Sequence, residues 1–262
     1  MIDLLSQNNL LQLAIIVLIA ITTSSLGPYT LWQKLSYFGD ALSHSMLSGV
    51  VIGSFFAVNQ IFAIVLFCVI FSLVFYAISN NRFLSKDTIT MIMSYFCIAF
   101  AFLAVGDPEK LHDFIFGNLQ EVTISDFWFL AILTAIVVIY SKIAFKRLLQ
   151  INVNKDLAQI DGINVKLWQI SFLILLSCTV ALSVKVVGVF LMTALLILPA
   201  AISRIFSNSA KQMFLITYFV SIIVSVISFN VSSYLAYETG PVIILSFFAI
   251  FVLALIFKGK KQ

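Results

Sequence analysis

LWQISFLILLSCTVALSVKVVGVFLMTALLILPAAIS occupies residues 167–203 and carries a single charged side chain, Lys185. A helix that crosses the hydrocarbon core of a bilayer uses about 20 predominantly apolar residues. The run is far too long for one crossing. It shows no polar/apolar alternation, so it does not read as barrel strands. Two helices joined by a tight hairpin at Lys185 satisfy both constraints. That placement also lets the lysine stem reach the membrane surface while its ammonium stays in water.

The rest of the chain has the same character. Of 262 residues, 62% are hydrophobic, 14% aromatic and 10% charged. The mean hydropathy is +1.12. Ordinary globular chains are about half apolar and roughly a quarter charged. This composition excludes a soluble enzyme, a nucleic-acid binder and a secreted disulfide scaffold. Cys68, Cys97 and Cys178 each sit alone in an apolar run and read as small buried hydrophobes. No Lys or Arg precedes the first apolar run, only Asp3, so that run reads as a retained span rather than a signal peptide.

Apolar runs fall at 10–26, 36–57, 61–79, 88–105, 127–144, 167–184, 186–203, 212–232 and 241–257, which predicts nine spans, or eight if two runs merge. Basic residues orient them. With the C-terminus in the cytoplasm, thirteen of the fifteen Lys and Arg residues face inward, leaving only Lys110 and Lys185 outside. The positive-inside rule selects that topology and places the N-terminus outside. The net charge of +4 is thus a topology signal, not a nucleic-acid footprint. Backbone polar groups in lipid must bond within their own segment, so the spans are helices. The expected fold is all-α: one polytopic transmembrane helical bundle over 1–262, with no second domain.

The second span, Ser36-Tyr-Phe-Gly-Asp40-Ala-Leu-Ser-His44-Ser-Met-Leu-Ser48-Gly49-Val-Val-Ile-Gly53, contains groups that do not belong in lipid. Asp40 and His44 lie one turn apart on one helix face, with Ser48 continuing the line. A carboxylate at the centre of a span costs about 3 kcal/mol or more unless it faces a cavity or a partner. Together an aspartate and an imidazole make half a site for a divalent transition metal. The same spacing also suits a structural pair or a proton relay. Beside this face, Ala41, Ser45, Gly49 and Gly53 form a stripe of small residues that lets helix backbones approach closely.

Elsewhere, an acidic loop over 106–126 holds His112, Asp107, Glu109, Asp113, Glu121 and Asp126, and reads mainly as a solvated turn. Pro199 is expected to kink or end the seventh span. Met192 and Thr193 read as core. No G-x-x-x-x-G-K-[ST] phosphate loop, H-E-x-x-H, G-x-S-x-G or paired-cysteine zinc motif occurs. Nothing in the chain supports an enzyme. The longest inward loop, 145–166, includes Asp156 to Gly162, which reads as a short helix stopped by glycine.

Five stretches carry a resemblance: Lys34-Leu-Ser-Tyr-Phe-Gly-Asp-Ala-Leu-Ser-His44, Phe116-Gly-Asn118, Asp156-Leu-Ala158-x-x-x-Gly162, Val187-Gly188 through Pro199-Ala-Ala201, and Gly240-Pro241. In this order they resemble the permease family of bacterial ATP-binding-cassette importers for zinc and manganese, the ABC-3 family, over essentially the whole chain. The resemblance implies a type II importer-like permease in the bacterial inner membrane, paired with a second copy of itself. It also implies a cytoplasmic ATPase dimer that consumes ATP, and a periplasmic or extracellular metal-binding protein.

On this resemblance Asp40 and His44 take the place of the family's metal-contacting pair. Asp156, Ala158 and Gly162 match its ATPase-coupling pattern, with Asp for Glu and Leu157 for the first Ala. Gly49, Gly53, Gly188 and Pro199 are packing or hinge positions. Asn118 stands where such chains often carry aspartate and is not assigned to metal. Glu238-Thr-Gly-Pro is shorter than the family's usual turn there. The wording Ser-Tyr-Phe-Gly-Asp resembles the zinc branch, so the expected cargo is Zn²⁺, with Mn²⁺ or Fe²⁺ chemically compatible. No covalently bound cofactor is expected.

Overall fold

The computed structural model describes residues 7–79, 83–104, 119, 122–235 and 237–259. The described residues form α1 (Gln7–Trp32), α2 (Phe38–Phe55), α3 (Gln60–Ser79), α4 (Lys86–Ala104), α5 (Ile124–Val153), α6 (Lys155–Ile160), α7 (Val165–Phe206), α8 (Ala210–Leu235) and α9 (Thr239–Gly259), with no strand among them. The architecture is the expected all-α bundle.

Side-chain contacts fix the helix directions. Phe38 packs on Phe71 and Phe75, Ser45 meets Cys68, and Gly49 abuts Ile64, so α2 and α3 are antiparallel. Against α4 the order is parallel: His44 meets Ser94 and Ser48 meets Cys97. The long α1 runs beside α5, pairing Thr22 with Thr134 and Tyr29 with Ser141. It runs opposite to α8, pairing Ser24 with Thr217 and Ala20 with Ser221. Its buried Thr22, Thr23, Ser24 and Ser25 hydroxyls donate to carbonyls one turn back, which removes the cost of placing four polar side chains in the core.

The run that opened the sequence reading becomes α7, and the chain reverses within it. Near its start Phe172 lies edge-on to Tyr29, which in turn contacts Phe214. Near its end Ser203 bonds to Thr217, one turn from Phe214. Both ends of α7 therefore lie at one end of the bundle. Between them, Lys185 reaches Asp126 at the start of α5, and Leu191 lies against Gly240 at the start of α9. The apex falls at Gly188, whose φ of 79° and ψ of 166° are open essentially only to glycine. The hairpin is thus a one-residue reversal at Gly188 rather than a turn centred on Lys185.

Three boundaries differ from the sequence reading. Seven described helices are long and apolar enough to cross a membrane, rather than nine. The runs that fall short are α2 and the second arm of α7, Leu191–Phe206. Both are walled in by other helices: α2 by α3, α4 and α7, and the second arm by α1, α8 and α9. A helix shielded by protein does not have to be long or uniformly apolar.

Second, α5 continues to Val153 through Lys146 and Arg147, so residues 145–153 are helix and not loop. Ala144, Leu148 and Ile151 keep a buried stripe going, while Arg147 lies over the Trp168 ring at 4.7 Å. Third, Pro199 does not end its helix, which continues to Phe206 with Gly188 its one non-helical residue. Gly27 packs directly on the Leu196 carbonyl, so α1 closes over the segment that proline would otherwise loosen.

Lys34, Lys86, Lys155, Lys166, Arg204, Lys211 and Lys258 all lie at one end of the bundle, at the turns and helix ends after α1, α3, α5, α6, α7 and α9. This is called the basic end below. Lys185 and Asp126 mark the opposite end.

Candidate functional site

The turn between α1 and α2 places the first polar pair. Gln33 N–H donates to the Tyr29 carbonyl and Leu35 N–H to that of Thr30. Lys34 adopts a left-handed φ of 56°, and Phe38 N–H then bonds the Leu35 carbonyl to start α2. Asp40 falls in the first helical turn, where a carboxylate is favoured by the helix dipole. His44 follows one turn later on the same face.

His44 Nδ1 lies 3.7 Å from Asp40 Oδ2. That is too long for a hydrogen bond. The imidazole instead bonds Ser94 of α4, with Nδ1 and Oγ 3.0 Å apart. One turn further, the Ser48 hydroxyl donates to the Cys97 carbonyl at 2.8 Å. Those two bonds fasten α2 to α4 along the polar face. The Asp40 and His44 side chains remain 46% and 26% exposed, so the face is open on one side.

Donors that share a tetrahedral Zn²⁺ at ordinary bond lengths stand about 3.3 Å apart. The 3.7 Å separation is to Nδ1, the nitrogen that Ser94 engages, so an ion bound by both residues takes the imidazole through Nε2. No group of three His, Cys, Asp or Glu residues that could hold a metal occurs among the described residues. Asp40 and His44 stand as a pair on this face. If Ser94 accepts from Nδ1–H, the His44 Nε2 lone pair points away from α4 and is free for a ligand.

The small-residue stripe faces the other way. A Cβ at Gly49 would lie 2.9 Å from the Ile64 Cα, and one at Gly53 3.0 Å from the Ala63 Cβ. Both glycines thus seat α2 on α3 and leave the polar face on the opposite flank.

The 156–162 motif forms a short capped helix at the basic end. Asn154 Oδ1 accepts from the backbone of Asp156 at 2.9 Å and of Leu157 at 3.2 Å. At the other end, Gly162 N–H bonds the Gln159 carbonyl and Ile163 N–H that of Ala158, closing a Schellman motif around a left-handed Gly162 (φ 79°). Ala158 is buried, while Leu157 and Ile160 are exposed, the latter by 80%. The helix therefore fixes itself to the bundle through Ala158 and offers two apolar side chains outward.

At the opposite end, Lys185 Nζ and Asp126 Oδ1 lie 3.0 Å apart. Asp126 also closes a capping box with Thr123 at the start of α5. This aspartate of the acidic loop is a structural clasp, and Lys185 is paired rather than simply extended into water. His112, Asp107, Glu109, Asp113, Glu121 and the Phe116-Gly-Asn118 stretch lie outside the described residues. Sequence reasoning missed Ser94: it is fifty residues from His44, and only the parallel packing of α4 on α2 brings it there.

Nearly the whole chain is similar to known proteins. The model of the ABC 3 transport family matches residues 7–258. The chain belongs to that family. It is 32% identical over 250 residues to the high-affinity zinc uptake system membrane protein ZnuB of Haemophilus influenzae, covering 94% of this chain and 95% of that protein. It is 28% identical over 266 residues to the manganese import system permease protein ScaB of Streptococcus parasanguinis, covering 100% of this chain and 95% of that one. A chain of PsaBC from Streptococcus pneumoniae, solved in complex with Fab, superposes with a TM-score of 0.84 at 23% identity, over 96% of this chain and 92% of that one, and shares the fold.

Proposed function

We propose that this chain is the membrane permease subunit of an ATP-binding-cassette importer that carries zinc into the cell. The carrying observation is the Asp40–His44 half-site, an acid and an imidazole one turn apart on an open face of a helix enclosed by the bundle. Membership of the ABC 3 family and the similarity to ZnuB support the same reading.

In this reading the open face of α2 lines a passage completed by a second copy of the chain. Asp40 and His44 hold the ion transiently, with further ligands from water or the second copy. Two protein ligands per chain bind weakly enough to release the ion, which transport demands. ATP is hydrolysed by separate cytoplasmic subunits, which engage α6 through Leu157 and Ile160 and move the bundle. Gly188 and Pro199 are the positions in α7 best suited to absorb that motion. The basic end faces the cytoplasm, with the N-terminus outside, and a metal-delivering protein docks at the Lys185 end.

Manganese is the second reading, favoured by the full-length similarity to ScaB. The test is uptake of zinc and of manganese in metal-starved cells carrying the wild-type chain, Asp40→Ala or His44→Ala at equal membrane abundance. Loss of zinc uptake in both variants is the expected result. Undiminished uptake in both overturns the site, and loss of manganese uptake alone moves the assignment to manganese.

A further inference from the structure

A small cavity at the basic end is lined by Gln33, Ser79, Lys86, Lys155 and Gln169 together with apolar side chains that include Phe75. Five separate parts of the fold meet there: the α1–α2 turn, the end of α3, the start of α4, the start of α6 and the first arm of α7. The sequence reading gave these polar residues no role beyond topology, and the Asp40–His44 half-site does not use them.

The lining is chemically one-sided. Lys86 and Lys155 contribute two cations, and among the described residues neither has a carboxylate oxygen within salt-bridge reach. Asp87 and Asp156 flank the lysines in sequence but do not line the cavity. Gln33 Nε2 is a buried donor with no partner. Gln169, only 8% exposed, lines the same space. A buried amide left without a partner costs roughly 1–3 kcal/mol. Two cations without a carboxylate partner and one buried, unpartnered amide nitrogen around one cavity form a site that lacks its acceptor.

We infer that this cavity binds a phosphate-type oxyanion, either the headgroup phosphate of an anionic phospholipid or free phosphate. An anion there accepts from both ammonium groups and from Gln33 Nε2, which satisfies donors that otherwise have none. It also ties Lys155 on α6 to Lys86 on α4, the helix that holds His44 through Ser94. The inference is independent of the identity of the transported metal.

The test uses the purified full chain in nanodiscs at constant ionic strength, with thermal midpoint as the readout. One arm titrates inorganic phosphate into phosphatidylcholine discs. The other replaces phosphatidylcholine stepwise with phosphatidylglycerol. The wild type is expected to rise in midpoint in one arm or both, and the arm that responds names the source. Lys86→Gln and Lys155→Gln are expected to shift the half-effect concentration about tenfold upward, because each removes a charge-assisted bond. Lys211→Gln, which removes an exposed charge elsewhere at the same end, is expected to match the wild type. If Lys86→Gln does not fold, Lys155→Gln on the exposed α6 decides alone. No response of the wild type in either arm, or equal responses of the wild type and Lys155→Gln, overturns the inference.

Discussion

Lys185 and Asp126 are 59 residues apart in sequence, and their charged atoms meet at 3.0 Å. The pair joins the apex of the α7 hairpin to the first turn of α5. Lys185 is 45% exposed, so solvent screens the pair and its own contribution is at most about 1 kcal/mol. Asp126 does more, because it also accepts from the Thr123 backbone and hydroxyl. Asp126→Ala is therefore expected to lower the thermal midpoint more than Lys185→Ala. The added loss is about 1 kcal/mol, the worth of a helix cap. A double-mutant cycle on the purified chain measures both; equal losses from the two single substitutions would show that the cap contributes nothing.

Ser94→Ala is expected to raise the KM of metal uptake by tenfold or more at nearly unchanged membrane abundance, the usual cost of removing a partner that orients a ligating histidine. Ser94→Thr, which keeps the hydroxyl, is expected to recover most of the affinity. Uptake assays over a range of metal concentrations separate KM from maximal rate. An unaltered KM in Ser94→Ala means that His44 does not depend on Ser94 for its orientation.

Gly162→Ala places a side chain at φ 79°, which costs about 1–2 kcal/mol in backbone strain. A Cβ there meets nothing within 4 Å, so sterics add nothing. The expected outcome is a frayed C-terminus of α6 in an otherwise folded chain, seen as faster amide exchange at Gly162 and Ile163. In the assembled transporter, metal-stimulated ATP hydrolysis is expected to fall. Gly162→Asn, which tolerates the left-handed region, is expected to lose less on both measures.

Gly49→Val sets a branched side chain against the Ile64 Cα, a backbone atom that cannot move aside. Overpacking of this kind costs about 1–3 kcal/mol. The variant is expected to reduce the folded fraction, measured by detergent-resistant size-exclusion profile. Because Gly49 faces away from Asp40 and His44, the fraction that folds is expected to retain metal uptake. Uptake lost in proportion beyond the folded fraction would place Gly49 in the pathway instead.

The sequence made the helices legible because lipid demands long apolar runs, and it placed Asp40 beside His44 because helical periodicity is local. It misjudged features decided by neighbours. Lys146 and Arg147 looked like the end of a span, yet the buried stripe of Ala144, Leu148 and Ile151 carries α5 past them. Pro199 was expected to kink or end its span, yet the helix runs on to Phe206 with α1 packed against it. Ser94 and the Lys185–Asp126 clasp depend on which helices pack side by side, information that no single stretch contains.

The second arm of α7 is only 16 residues, about 24 Å at the helical rise, against roughly 30 Å of hydrocarbon. Because helices rather than acyl chains surround it, the bilayer does not dictate its height. Its depth is set by contacts such as Gly27 on Leu196 and Ser203 on Thr217, free of the thickness of the oil layer. The lipid-facing helices around it have no such freedom: any vertical displacement of theirs must drag the bilayer along.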